Sequence, residues 1–160
     1  MAGLRALLTQ MGYTDVATLL NSGNVVFSAA KGAPALHAAA IAAAVVRELD
    51  VDVPVVVKSA SELAGIVAGN PLAVGAFDPS RLLVAYMQDE ESLSSLATVA
   101  RLVVAPERFV IGKKAAYLHC ANGILGSKAG KALLGTEGTT ATTRNWTTTL
   151  KLNALANRDA

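Results

Sequence analysis

The chain has 160 residues, 52% of them hydrophobic and 16% charged, with a formal net charge of +2. That balance excludes a disordered chain and allows one domain or two small halves sharing a core. The single cysteine, Cys120, excludes an internal disulfide, and no signal peptide or bilayer-length apolar run is visible, so a cytoplasmic protein without membrane association is expected.

Leu4, Leu7, Leu8 and Met11 recur at helical spacing, and Gly12 follows as a left-handed stop. Ala17–Leu20 and Val25–Phe27 read as short strands, or as one bulged strand, around the turn chemistry of Asn21-Ser22-Gly23-Asn24. Pro34 suits the first turn of a helix running to Leu49, with Ile41, Val45 and Leu49 on one face. Val53–Val57 reads as a strand, placed at an edge or started late by Pro54. Ser59 and Glu62 form a capping-box signature, and Gly69-Asn70-Pro71 ends the helix they start.

The unbroken apolar run Leu82–Met87 predicts a central, buried strand. Glu90–Ala100 is helical, with Asp89-Glu90-Glu91 as an acidic start. Arg108–Ile111 and Ala115–Cys120 form a hairpin across Gly112-Lys113-Lys114, in one sheet with Arg81–Gln88. Ser127–Leu134 is a short helix, Thr136–Thr143 a loop or short strand, and a last helix begins near Asn145 with Trp146 as its apolar anchor. The order of elements describes an α+β fold of two ferredoxin-like, split-βαβ halves in tandem, divided at residues 75/76 and packed as one unit. The first half lacks a leading strand.

Charge is unevenly distributed. Residues 1–106 hold six lysines and arginines against nine acids, whereas residues 107–157 hold seven against two. A basic C-terminal third suits an anionic partner. Arg144, Asn145 and Lys151 around one helix start, and Ser127 with Lys128 at another, are the candidate anion-binding residues. Ser22, Gly23 and Asn24 are a further loop candidate, through backbone N–H groups. Each also has a plain structural reading, as a helix cap, a solvated cation or a tight turn.

Other chemistries find less support. His119 and Cys120 are consecutive in a strand and point to opposite faces, and His37 reads as a surface residue, so neither a metal site nor a Cys–His pair is expected. Gly123–Lys128 has neither the spacing nor the residue order of a phosphate loop. Tyr86, Tyr117 and His119 could share a sheet face able to stack bases, but the motif of RNA-binding sheets is missing, and nucleic acid is not the expected partner. No cofactor is indicated.

Three stretches carry a family resemblance: Gly12–Val16 running into Ser22–Phe27; Tyr117-Leu118-His119 with Asn122-Gly123-Ile124 and Ser127-Lys128; and Thr140–Trp146 through Lys151-Leu152. Together they resemble the domain of unknown function 1697 family, uncharacterised proteins found mostly in bacteria, along nearly the whole chain. The resemblance implies an α+β fold of two similar halves and no established activity. Such proteins usually open with an aliphatic strand running into Arg-Gly-Ile-Asn and a Gly pair; here Met1 stands where the first helix begins, and the segment after Lys128 is shorter. The expectation is therefore a non-enzymatic binding protein for an anionic small molecule or partner. The alternatives are an enzyme acting on a phosphorylated or carboxylate small molecule, and a structural module self-associating through the first half.

Overall fold

The computed structural model describes residues 2–20, 23–135 and 141–158. It is a mixed α+β structure with two antiparallel sheets and six α-helices among the described residues. α1 (Ala2–Gln10) buries Leu7 and Leu8, as its spacing dictates, and Gly12 turns the chain at φ 98°. β1 (Thr14–Leu19) and β2 (Asn24–Ser28) pair antiparallel with Ala17 opposite Val26. The register shifts between Thr14 and Ala17, where Asp15 adopts φ 51°. Of the predicted turn, Asn21 and Ser22 lie outside the described residues, while Gly23 has φ 81°.

α2 (Pro34–Leu49) starts on its proline and ends on Asp50, whose N–H donates to the Val46 carbonyl from a left-handed conformation. Its buried Ile41, Ala44 and Val45 meet Leu7 and Leu8 in the first core, against which Val25, Phe27, Val55 and Val57 also pack.

Val53–Val57 departs from its prediction, since among the described residues no strand pairs with it. Its side chains still alternate as a strand's do: Val55 and Val57 face the first core and Val56 faces the second. The local residues favour extended backbone, but a strand also needs a ladder partner, and here one side chain substitutes for it. Gln88 accepts from the Val57 N–H at 2.8 Å and donates to the Val57 carbonyl at 3.0 Å. α3 (Ala60–Ala68) follows with the reciprocal Ser59–Glu62 capping box in place.

The second sheet has the order β4-β5-β3-β6, every pair antiparallel. β3 (Leu82–Tyr86) is central, with all five residues buried. β5 (Ala116–His119) and β4 (Arg108–Ile111) are the predicted hairpin, and β6 (Thr142–Asn145) emerges from the stretch expected to be loop or strand. Between β3 and β4 a 3-10 helix, Glu90–Leu96, continues into α4 (Ala97–Ala100). α5 (Lys128–Leu134) is capped by Ser127, and α6 (Trp146–Ala156) by Asn145, whose side chain accepts from the Thr148 N–H at 2.9 Å. One face of this sheet carries Leu83, Ala85, Ala116 and Leu118 beneath α4 and α5. The other carries Leu82, Val84, Tyr86 and Tyr117 beneath α3 and α6, with Trp146 and Ile66 among them.

That second face overturns the idea of a stacking platform. Tyr86 and Tyr117 are buried under helices, and their hydroxyls are engaged: Tyr86 with Thr149 at 2.6 Å, and Tyr117 donating to the Ile66 carbonyl at 2.7 Å. His119 is half-buried and meets the Phe77 ring edge-on at 6.4 Å.

Replacing Gln88 with alanine leaves the half-buried Val57 backbone without its partner. Stability in urea should fall by about 1–3 kcal/mol, with faster amide exchange at Val57. Burial pushes both Tyr86 and Tyr117 up to about 12, above the value near 10 of an unfolded chain. The unfolded state therefore releases these protons first, so their contribution is intact below about pH 10 and is lost as pH rises towards 12. Denaturant midpoints should fall across that window, with tyrosinate absorbance appearing together with unfolding.

Candidate functional site

β2 has β1 on one edge, and among the described residues no strand on the other. Asn24–Phe27 of β2 and the extended segment Val53–Lys58 both line a groove of about 1190 Å³. Ile41 and Val45 of α2 line the groove from the first core with the exposed Leu49 beyond them, and Tyr86, Leu152 and Ala156 line it from the second core. Most lining side chains are apolar, as binding clefts require. The ionisable ones among the described lining residues are His37, Lys58, Tyr86 and Arg144, and no aspartate or glutamate is among them.

Arg144 reaches the groove from β6, where it stands opposite Val84. Its Nε donates to Asn24 Oδ1 at 2.6 Å and an Nη donates to its neighbour's carbonyl, Thr143, at 2.8 Å. The guanidinium is half-buried, and loss of solvation pulls its pKa below the usual arginine range. Arginine still keeps its charge at neutral pH. Asn24 is 5% exposed and also donates to the Leu19 carbonyl at 3.1 Å. One amide therefore ties the start of β2 to the end of β1 and holds a cation from β6.

The structure thus gathers Arg144, Gly23 and Asn24 of the predicted site residues at the groove. The others lie elsewhere or are already engaged. Asn145 spends its side chain on the cap of α6. Ser127 is 2% exposed and accepts from the Gly130 N–H at 2.9 Å, an ordinary cap on a helix of seven residues. Lys128 and Lys151 are exposed and do not line the groove. For Lys151 the cause is helical periodicity: α6 turns Thr148 and Thr149 inwards and Leu150 and Lys151 outwards. Ser22 lies outside the described residues.

His37 is not the surface residue its alanine-rich helix suggested. It is half-buried, with Nδ1 2.7 Å from the Tyr13 hydroxyl and its ring edge-on to Tyr13 and Phe27. Gly32, at φ 108°, makes room for it, since a Cβ there would stand 2.9 Å from Nε2. Neither this cluster nor the Gln88 amide carries a local sequence signal; each depends on contacts between segments distant in the chain.

Cys120 is fully buried, and burial pushes its thiol pKa up. No group of three or more metal-capable side chains occurs among the described residues, and none of their helices is long and apolar enough to cross a membrane.

Comparison with known proteins adds fold and family. No protein of curated function matches the chain. Among solved structures, the conserved bacterial protein SP0830 from Streptococcus pneumoniae superposes with a TM-score of 0.78. That similarity covers 98% of this chain and 88% of that one at 21% identity, which speaks to the fold alone. The model of a protein of unknown function, DUF1697, matches residues 1–117, and on that match the chain belongs to the DUF1697 family.

Proposed function

We propose that the chain is a non-enzymatic binding protein and that the groove is its binding surface, holding an anionic group of its ligand or partner at Arg144. One observation carries this reading: the cations Lys58 and Arg144 line a groove whose walls are otherwise largely apolar. In a half-buried, largely apolar setting such charge acts more strongly than in water. The basic character expected of the C-terminal third is thereby narrowed to one of its arginines.

The enzyme alternative needs a base beside the bound anion. Tyr86 holds its proton to about pH 12 and bonds Thr149, Lys58 donates to the Gln88 carbonyl, and His37 is occupied with Tyr13. Each of these groups already has a partner within the fold. Self-association is the second reading, favoured by the open edge of β2 and the exposed Val51 and Val53.

The finer architecture belongs with this proposal. The second half runs strand, helix, hairpin, helix, strand, helix, with the first of those strands central. The first half runs helix, hairpin, helix, extended segment, helix. We read both as one ferredoxin-like plan, with the groove in the position that β3 takes in the second half. The setting this reading supposes is the bacterial cytoplasm.

A thermal-shift titration with inorganic phosphate, phosphate esters and carboxylates tests the function, since a ligand of the native state raises its melting temperature. Arg144→Ala should lower stability by about 1–3 kcal/mol through the lost Asn24 bond and should also abolish the anion-dependent shift. Arg144→Lys should keep part of the shift. A wild-type chain indifferent to every anion would end the binding reading.

A further inference from the structure

We propose that a second copy of the chain pairs with β4, edge to edge about a twofold axis at Val110, so that the second sheets of both copies run on as one. This is independent of the groove, since no residue of β4 lines it.

β4 ends the order β4-β5-β3-β6, and among the described residues no strand lies beyond it. Which of its residues face outwards follows from the ladder. The Gly112 N–H donates to the Ala115 carbonyl at 2.9 Å, so Gly112 faces β5, and alternation turns Val110 and Arg108 the same way. The far edge of β5 agrees. There the Cys120 N–H donates to the Arg81 carbonyl at 2.8 Å, so Cys120, Leu118 and Ala116 face β3, while His119 and Tyr117 face β4. Phe109 and Ile111 therefore direct their N–H and C=O groups to the open side. Such groups call for a partner.

An edge pairs with its own copy only in registers that set an outward residue opposite an outward one. With Val110 on the axis, Phe109 stands opposite Ile111 of the second copy and Ile111 opposite its Phe109, so every outward group of β4 is used. With Phe109 on the axis, Ile111 would meet Glu107, whose N–H is already spent on the Val104 carbonyl at 2.9 Å. With Ile111 on the axis, Arg108 would meet Lys114, two like charges.

The Val110 register also matches the side chains. Phe109 packs against the core beneath α4 and α5, and alternation puts Ile111, 37% exposed, on the same face. An aromatic ring beside a β-branched chain is a favourable cross-strand pair, and it covers Ile111. Arg108 is the single charge in β4, a usual guard of an open edge, and it would stand opposite Gly112, which has no side chain to oppose it. One step further, Glu107 stands opposite Lys113 of the second copy, and Lys113 opposite its Glu107. One Glu107 oxygen accepts from the Val104 N–H at 3.1 Å, which leaves a carboxylate with capacity for an ammonium. Lys113 is exposed, and the twofold axis makes each attraction twice. This complementarity names the occupant: the acid and the base that answer each other are both carried by this chain.

Sedimentation equilibrium of the full chain should show monomer and dimer exchanging with concentration. Val110→Cys measures the register. A non-hydrogen-bonded antiparallel pair sets its Cα atoms about 4.5 Å apart, within disulfide reach, so mild oxidation should link two copies through the introduced thiols. Ile111→Cys places its thiols out of step and should link about tenfold more slowly. The native Cys120 is fully buried and does not compete. Ile111→Pro removes an outward N–H, leaves the β4–β5 ladder intact and should abolish the dimer. Lys113→Glu should weaken association about tenfold, and adding Glu107→Lys should restore it. A monomer at every concentration up to about 1 mM overturns the proposal. So does a dimer that survives Ile111→Pro, which would move self-association to the first half. Faster linking of Ile111→Cys than of Val110→Cys overturns the register. If melting shows that Ile111→Pro does not fold, the cysteine variants decide alone, and linking in neither overturns the pairing.

Discussion

A strand buried in a sheet must satisfy its backbone on both edges, and most of this architecture follows from where that requirement is met. β3 meets it fully: β5 bonds one edge, β6 the other, and its five side chains divide between two cores. Helices can then cover both faces, because no polar backbone is left facing them. In the first half the requirement is met piecemeal. β1 satisfies one edge of β2, and a single glutamine satisfies one residue of Val53–Val57. The groove is lined by both of these segments.

Arg144 and Asn24 join these two regimes. Arg144 sits on the strand beside β3, and Asn24 opens the strand beside the groove. Their hydrogen bond passes from the fully paired sheet to the half-paired one. A buried asparagine that also donates to the Leu19 carbonyl can hold the guanidinium in one place, because its orientation is fixed from two directions. Lys151, by contrast, stands exposed on α6.

Features governed by neighbouring residues were legible in the sequence. Helical spacing located α1 and α2, the Ser59–Glu62 box and Asn145 marked helix starts, and the run Leu82–Met87 marked the central strand. Features decided by distant partners were not. Val53–Val57 has the composition of a strand, yet nothing in those residues says whether a ladder partner lies beside them. Tyr86 and Tyr117 share a strand face as alternation requires, but which helices roof that face is a matter of tertiary packing. Likewise the cations of the C-terminal third are close along the chain, while helix phase and strand register send Arg144 inwards and Lys128 and Lys151 outwards. His37 was misread for the same reason, since Tyr13 and Phe27 reach it from other elements.

The Gln88 amide has a mechanical consequence. A side-chain amide offers one acceptor and one donor direction to a backbone, so it can register a single residue and no more. Val57 is pinned to the second half, while no described backbone hydrogen bond holds 53–56. The rest of that wall is held by side chains instead: Val55 by the first core and Val56 by the second, while Val53, 48% exposed, belongs to neither. Its backbone position is therefore set by packing on both sides and by one amide, so a change of bulk at Val55 or Val56 would move this wall where a change at Val53 would not.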